Sequence, residues 1–432
     1  MGSSPVSRRV GFVSTRFLGT DGVSLESNKW LDVLEHLGHT CFFFAGASDR
    51  APERSRVVPE ALFSHPEIHQ IYTVAFSGRV RPPETTRRIL QLKDYLKEQI
   101  SAFVRDFGIE LLIVENALAI PLNLPLGLAL TEFIAETGFI TIAHHHDFFW
   151  ERKRFLVNCI WDYLNMAFPP HLPSIRHVVI NSSAGNQLSL RTGVSSWLIP
   201  NVMDFDNPPP APDDYARDVR TALGVAPDER FFLQPTRVVQ RKGIEHAIEL
   251  VNRLGVKARL VISNASGDED DDYERRVREY AKLLSVPTNF ESAVVKDRRG
   301  KTAEGRKIYT LWDVYPHADL VTYPSDIEGF GNAFLEAIYF KRPIVVNNYS
   351  IFDIDIKPKG FRVIEFDGYV TDEAVRRVKQ VLDEPALMQQ MAEHNYQLAK
   401  QHYSYAMLER RLQMLMADCF GEQRDGARSA EG

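Results

Sequence analysis

Short apolar runs alternate with longer amphipathic segments along most of the chain. Residues 10–14 (Val-Gly-Phe-Val-Ser) are typical of a buried strand, and the segment from Leu25 to Leu37 has the periodicity of a helix. The alternation continues with strands predicted at 39–45, 109–115, 139–143 and 177–182, and helices at 87–107 and 124–137. Because parallel strands are joined by helical crossovers, this order predicts a doubly wound parallel α/β sheet in the first half.

The second half repeats the pattern after a proline-rich segment. Four prolines fall within residues 205–214, which predicts a linker and a domain boundary near residue 205. Strands are predicted at 231–236, 258–263, 288–292, 319–324, 343–346 and 360–364. Helices are predicted at 215–223, 244–254, 273–284, 308–315, 372–382, 387–402 and 405–419. A further helix is predicted after the strand 319–324, and it ends at Phe340. We therefore expect two Rossmann-like domains, 1–205 and 206–404, with helix 405–419 crossing back to the first and a disordered tail at 421–432.

Composition narrows the class of protein without identifying its chemistry. A hydrophobic content of 44% and a charged content of 25% are ordinary for a soluble globular protein, and a net charge of −6 argues against non-specific nucleic-acid binding. The three cysteines lie far apart, which argues against a disulfide framework or a zinc site and fits a reducing, cytoplasmic compartment. The most apolar long stretch, 111–142, is interrupted by charged residues and prolines, so no membrane span is predicted. Residues 1–9 lead directly into a short apolar strand, so no signal peptide is predicted.

The strongest chemical signal is the predicted strand-to-helix turn at residues 325–336 (Ser-Asp-Ile-Glu-Gly-Phe-Gly-Asn-Ala-Phe-Leu-Glu). A glycine-bearing turn ahead of a helix exposes backbone N–H groups and the positive end of the helix dipole, which suits an anion. Seven residues separate Glu328, beside the predicted anion site, from Glu336, about two turns into the helix. This order suggests a ligand in which a sugar, a phosphate and a second sugar follow one another.

Two further loops could contact phosphate. Arg237 and Lys242 follow a predicted strand and precede a helix, where two cations could clamp a diphosphate; the alternative is a pair of surface charges. Gly19 and Gly22 follow the first predicted strand, where they would either approach a phosphate or only allow the turn.

A run of histidines, His144-His145-His146-Asp147, ends the strand predicted at 139–143. The carboxyl ends of parallel strands are where open α/β sheets bind ligands. Adjacent histidines on an extended backbone alternate between faces, so a single zinc ion is disfavoured. We favour a substrate-facing His–Asp pair, and a structural hydrogen-bond cluster is the alternative. The acidic run 268–272 resembles a metal-binding DxD, but we interpret it as the acidic start of the next helix.

Together these pieces resemble the GT-B glycosyltransferases, specifically glycosyltransferase family 4, a retaining family of group 1 glycosyltransferases. Glu328 and Glu336 match the family's E-x7-E motif, and Arg237 with Lys242-Gly243 matches its R-x4-K-G segment. Weaker matches are residues 199–204 (Ile-Pro-Asn-Val-Met-Asp) to a P-N-G-V-D hinge, 19–24 to the first glycine loop, and His145–Asp147 with Trp150–Arg152 to an H-D…W-E-R segment.

The resemblance implies two domains that face a cleft, and a retaining transfer that needs neither metal nor cofactor. It implies that Glu336 binds the donor ribose, that Glu328 holds hydroxyls of the transferred sugar, and that Arg237 and Lys242 neutralise the leaving diphosphate. Either His145 or His146 would face the transferred sugar or the acceptor. The remaining donor-binding residues implied are Gly19, Gly22, Gly329, Phe330, Gly331 and Asn332.

Donor and acceptor stay open at this point. GDP-mannose and UDP-glucose both fit, and the absence of a strongly basic amphipathic helix favours a small soluble acceptor: a sugar, a sugar phosphate or a glycerate derivative. The acceptor-side candidates are Arg16, Thr20, Asp21, Glu115, Asn116, Asp147 and Arg152. The alternatives are a GT-B protein that binds nucleotide sugars without transferring them, and a GT-B epimerase.

Overall fold

The computed structural model describes residues 7–19, 22–264 and 271–421. The predicted acceptor-side residues Thr20 and Asp21, most of the acidic run (268–270) and the tail 422–432 lie outside this range. The described chain forms two compact units. One comprises the residues up to Asn201 together with those from Tyr405 onward, and the other is Val202–Ser404.

The first unit is built on a parallel sheet of seven strands. These are β1 (Arg9–Val13), β2 (Thr40–Ala45), β3 (Ser55–Val57), β4 (Leu111–Glu115), β5 (Thr141–His145), β6 (Ile175–Val179) and β7 (Ser196–Leu198). Their order in the sheet is β3-β2-β1-β4-β5-β6-β7. The chain moves outward from β1 in one direction and from β4 in the other, so the connections diverge between these two strands.

Helices surround this sheet. They are α1 (Gly22–His36), α2 (Pro66–Ser77), α3 (Pro83–Phe107), α4 (Leu124–Thr137), α5 (Trp161–Ala167), α6 (Ser182–Thr192) and, from the other end of the chain, Tyr405–Phe420. The strand residues of β4 are buried throughout, as expected for a parallel strand covered on both faces.

The second unit is built on a parallel sheet of six strands. These are β8 (Arg230–Gln234), β9 (Ala258–Ile262), β10 (Thr288–Phe290), β13 (Leu320–Tyr323), β14 (Ile344–Asn347) and β15 (Ile364–Phe366), in the order β10-β9-β8-β13-β14-β15. A separate antiparallel hairpin consists of β11 (Gly300–Lys301) and β12 (Lys307–Ile308).

The helices of the second unit are α7 (Val219–Ala222), α8 (Ile244–Leu254), α9 (Asp271–Leu283), α10 (Leu311–Val314), α11 (Asn332–Tyr339), α12 (Asp372–Asp383) and α13 (Pro385–Tyr403). The Tyr405–Phe420 helix of the first unit is α14. No helix in the described ranges is both long and apolar enough to cross a membrane.

Three predicted elements are wrong in extent, each for a local reason. The strand predicted at 177–182 ends at Val179, because the Asn181 side chain accepts from the Ala184 N–H at 2.7 Å and caps α6. The helix predicted at 308–315 is only α10, because residue 308 belongs to the hairpin and Thr310 caps the helix. The strand predicted at 360–364 begins at Ile364, because Gly360 (φ +91°) ends a helical turn.

Other differences lie in weakly patterned segments. The helix predicted at 215–223 shortens to α7, and the strand predicted at 139–143 lies two residues further on, as β5. The sequence analysis missed α2, α5, α6, β3, β7 and the hairpin.

Candidate active site

The turn between β13 and α11 has a conformation that requires glycine. Gly331 has a φ of +120°, and a Cβ built there would lie 2.6 Å from the hydroxyl oxygen of Tyr349. That hydroxyl donates to the carbonyl oxygen of Phe330 at 2.8 Å. The Phe330 ring is buried and packs edge-on against Tyr403, with 5.3 Å between ring centroids. Buried aromatic side chains therefore fix the turn that carries the predicted residues Gly329, Phe330, Gly331 and Asn332.

Glu328 lies in the same turn, with only 8% of its side chain exposed. Its Oε1 forms an ion pair with Nζ of Lys242, and its Oε2 lies 3.3 Å from Nη1 of Arg241. Burial disfavours the carboxylate, but the two cations outweigh burial and hold the pKa of Glu328 below its ordinary value. Burial also lowers the pKa of Lys242, against the attraction of Glu328. At neutral pH Glu328 is therefore ionised and can only accept hydrogen bonds.

The segment 237–243 packs on this turn through its backbone. The Asp326 N–H donates to the carbonyl oxygen of Arg241 at 2.9 Å. Gly243 has a φ of +57°, and a Cβ built there would lie 2.4 Å from the carbonyl oxygen of Pro324. Only glycine permits so close an approach of the two backbones.

The two predicted cations, Lys242 and Arg237, lie in different environments. Lys242 is buried against Glu328, whereas Arg237 is exposed just after β8. Arg241 contacts Glu328, and the sequence analysis missed it. The signal that could have identified Arg241 is its place directly before Lys242, in a segment already predicted to bind an anion.

Glu336 is oriented by a buried tyrosine. The Tyr315 hydroxyl donates to Oε2 of Glu336 at 2.6 Å, and the Tyr315 ring stacks on Phe340 with centroids 5.1 Å apart. Burial and the charge of Glu336 raise the pKa of Tyr315 well above its ordinary value, so the phenol stays a neutral donor. Glu336 itself is half-buried on α11.

In the first unit, pairing of β4 with β5 places Glu115 opposite His144. Oε2 of the buried Glu115 lies 3.0 Å from Nδ1 of His144 and 3.1 Å from Nε2 of His146. Burial opposes ionisation of Glu115, but the two histidines outweigh burial and lower its pKa to about 2. Burial lowers the pKa of His144, whereas in His146 the contact with Glu115 overcomes burial and raises the pKa. The Glu115 carboxylate therefore favours the protonated form of His146, and together they form a charged pair below the pKa of His146.

His145 points to the other face of the sheet, as the alternation of a strand requires. Its Nε2 lies 2.9 Å from Nδ1 of His177, and its ring lies 4.9 Å from that of Phe148. Burial lowers the pKa of His145 well below its ordinary value, so it is neutral. Of the two histidines predicted to face substrate, His145 is enclosed in the fold, and His146 is partly exposed.

Three side chains in the described ranges could together hold a metal ion. Glu115, His144 and His146 each place one ligand atom within 4.8 Å of the others. Their carboxylate–imidazole separations of 3.0 and 3.1 Å are also those of hydrogen bonds. The set differs from the adjacent histidine triplet, because His145 lies on the opposite face.

The remaining acceptor-side candidates are linked by hydrogen bonds. Asn116, with a φ of +59°, donates from Nδ2 to Asp147 at 2.9 Å and accepts at Oδ1 from the His146 N–H at 3.1 Å. Asp147 also forms an ion pair with Arg152. Arg16, Glu115 and Asn116 line one cavity. Gly19 is exposed in a turn with a φ of +80°, and Gly22 begins α1.

The sequence of the chain is similar to a known protein family and to two named relatives. Residues 305–398 match the family described as Glycosyl transferases group 1. The chain is 32% identical to the mannosylglucosylglycerate synthase of Thermotoga maritima over 427 residues, which cover 90% of this chain and 95% of the relative. It is 32% identical to the synthase of the same name from Petrotoga mobilis over 383 residues, covering 82% and 86%.

Among solved structures, the sucrose-phosphate synthase of Thermosynechococcus elongatus is similar with a TM-score of 0.67. The match has 13% identity and spans 96% of this chain and 100% of that chain. At this identity the likeness concerns the fold alone, and it confirms the predicted fold class.

Proposed function

Because the chain belongs to the group 1 glycosyltransferases and has the GT-B fold, we propose that it is a retaining, metal-independent mannosyltransferase. The proposed reaction moves mannose from GDP-mannose to glucosylglycerate. Two relatives at 32% identity support this acceptor, because their name describes a mannosyl group on glucosylglycerate. Of the two donors that fit the sequence, GDP-mannose carries the mannosyl group of that name, whereas the glucosyl group already belongs to the proposed acceptor.

The observation that carries the proposal is the buried ion pair of Glu328 with Lys242 beside the start of α11. A carboxylate has about four acceptor positions, and an ammonium has three donors. Besides Lys242 and Arg241, the hydroxyls of Ser325 and Tyr323 reach Glu328, and hydroxyls of the mannosyl group would replace these neutral donors. Lys242 keeps donors for a phosphate. One pair can therefore bind both sides of the bond that breaks.

During transfer, the bond between C1 of mannose and the phosphate oxygen breaks, and the oxygen keeps the electron pair. An acceptor hydroxyl forms the new bond to C1, and its proton passes to the departing diphosphate. Fixed cations and amides stabilise the charge that develops on the diphosphate. We assign this role to Lys242, to Arg237 and to the backbone N–H groups at 329–332.

The other predicted residues take supporting roles in the proposal. Glu336, held by Tyr315, accepts hydrogen bonds from the donor ribose. His146, whose protonated form is favoured by its contact with Glu115, binds the acceptor. Because Lys242 and Arg237 supply the positive charge, the transfer requires no metal ion.

The test is an assay with GDP-mannose or UDP-glucose and glucosylglycerate, followed by product mass and the anomeric configuration by NMR. We expect one hexose to be added from GDP-mannose with the configuration retained. Glu328→Gln, which keeps the shape and removes the charge, should lower kcat by about 100-fold or more. Glu304→Gln, an exposed carboxylate of the same unit, is the matched control and should be unchanged.

Three results would refute the proposal. Failure to add mannose to glucosylglycerate excludes this acceptor. Donor bound without any turnover indicates a binding protein. A donor altered at unchanged mass indicates an epimerase.

A further inference from the structure

A cavity of about 140 Å³ in the first unit lies at the carboxyl ends of β1 and β4. The connections of the sheet diverge between these two strands, which is where open α/β sheets form a ligand crevice. Its lining residues are Ser14, Thr15, Arg16, Val23, Phe63, Glu115, Asn116, Ala117, Ile120 and Leu122. Arg16 and Glu115 are the only charged residues in this lining.

The volume limits what the cavity can hold. A cavity of about 150 Å³ accommodates benzene, which has about six non-hydrogen atoms. A three-carbon hydroxy acid is of about this size. A hexose has roughly twice as many atoms and does not fit in the same volume. The cavity therefore suits the glycerate end of a glycosylglycerate, with the sugar outside it.

The lining residue Glu115 has an unsatisfied hydrogen-bond acceptor. Its Oε2 lies near the two histidines, whereas the buried Oε1 has no hydrogen-bond partner in the described part of the chain. A buried carboxylate oxygen without a partner is costly. A ligand that satisfies this oxygen presents a hydrogen-bond donor, such as a hydroxyl.

Arg16 supplies the opposite charge. Its guanidinium carbon lies 5.2 Å from the ring centroid of Phe63, which also lines the cavity. A guanidinium remains charged at all relevant pH values and matches the geometry of a carboxylate. One wall therefore favours an anion and another favours a hydroxyl, which are the two groups of a hydroxy acid.

We infer that this cavity binds the glycerate moiety of the acceptor, with its carboxylate on Arg16 and a glycerate hydroxyl donating to Oε1 of Glu115. The inference rests on the proposed acceptor and adds a selectivity to it. A phosphate on the glycerate would add about four non-hydrogen atoms, and a cavity of about 140 Å³ has no room for them beside the hydroxy acid. The cavity therefore selects the unphosphorylated acceptor.

The first experiment measures binding without transfer, by saturation-transfer NMR with sodium D-glycerate. Wild-type protein should bind D-glycerate, and glycerol should bind at least tenfold more weakly. Arg16→Gln should abolish the D-glycerate signal, and Arg16→Lys should retain part of it. Arg154→Gln is the matched control, because Arg154 also lies over a phenylalanine ring, 4.8 Å from its centroid, but outside the cavity.

The second experiment measures transfer from GDP-mannose. Arg16→Gln should raise the KM for glucosylglycerate about 30-fold, as expected for loss of a charged hydrogen bond. It should raise the KM for glucosylglycerol far less, and an unchanged Tm shows that the variant is folded. Wild-type protein should prefer glucosylglycerate to glucosyl-3-phosphoglycerate.

The inference is overturned if D-glycerate fails to bind wild-type protein, or if Arg16→Gln binds it normally. It is also overturned if the KM for glucosylglycerol rises in parallel, or if the phosphorylated acceptor is preferred. Failure of the proposed function looks different, because D-glycerate would then bind in an Arg16-dependent manner while mannose is not transferred to glucosylglycerate.

Discussion

Substitution of Gly331 tests the architecture of the turn before α11. Gly331→Ala places a Cβ 2.6 Å from the Tyr349 hydroxyl oxygen, at a residue with a φ of +120° and a ψ of +68°. A non-glycine residue in such a conformation costs about 1–3 kcal/mol, and overpacking costs about the same again. The expected destabilisation is therefore about 4 kcal/mol.

Differential scanning calorimetry measures this effect through the transition of the second unit, which is identified by its upward shift on adding GDP. In a domain of about 200 residues, 1 kcal/mol corresponds to about 2–4 °C, so Tm should fall by about 10 °C. Gly300→Ala is the control in the same unit, because the nearest atom to its Cβ is 4.0 Å away.

The double variant Gly331→Ala/Tyr349→Phe separates the overlap from the backbone strain. Tyr349→Phe alone removes the hydrogen bond to the Phe330 carbonyl and should cost about 1 kcal/mol. Because it also removes the overlapping oxygen, the double variant should be about 1–2 kcal/mol more stable than the sum of the single effects. A Gly331→Ala protein within 2 °C of wild type, or strictly additive effects, would refute the reasoning.

Three further predictions concern charge. Arg237→Ala should raise the KM for GDP-mannose about tenfold without changing Tm, because this side chain is exposed. Arg241→Ala should lower Tm by about 2 °C, because it removes a half-exposed ion pair with Glu328. Equal Tm values for the two variants would contradict this. By NMR titration, the pKa of His146 should lie above 6.5 in wild type and below 6.5 in Glu115→Gln, where burial acts without the carboxylate. The charged pair of Glu115 and His146 stabilises the fold between pH 4.5 and 6.5, and this stabilisation is lost as the pH rises through the pKa of His146. An unchanged His146 pKa in Glu115→Gln would contradict the pairing. EDTA should leave the mannosyl-transfer rate within about twofold, and restoration of a lost rate by a divalent cation would show that the cations of the turn do not suffice.

Apolar periodicity predicted the helices and strands well where packing against the core determines the structure. The predicted helix 244–254 is α8, with residues such as Ile248 and Val251 buried along one face. The hairpin of β11 and β12 could not be predicted in the same way. Its four strand residues are too few to show an apolar period. The Tyr215 hydroxyl lies 3.0 Å and 2.9 Å from the carbonyl oxygens of Gly300 and Ile308, contacts made across a long stretch of sequence.

In the candidate site, too, some residues could be predicted from the sequence and others could not. Spacing alone singled out Glu328 and Glu336, and strand alternation correctly separated His145 from its neighbours. Arg241 could have been identified from its place before Lys242. Its contact with Glu328 and the contact of Tyr315 with Glu336 could not be predicted, because each depends on how one loop or helix packs against another. The contact between Glu115 and the histidines required knowing that β4 and β5 are adjacent in the sheet.

Helix α14 belongs to the first unit, although Val202–Ser404 precedes it in the chain. It packs on α1, the Arg8 guanidinium lies 4.1 Å from the Phe420 ring centroid, and Arg176 contacts Asp418 at 2.6 Å. During translation, the ribosome therefore delivers all of the second unit before it delivers this helix. Domains usually fold in the order of their synthesis, but here the unit that is begun first is completed last. Until residue 420 emerges, the nascent protein exposes the face of α1 that α14 covers, which is a surface for chaperones to protect.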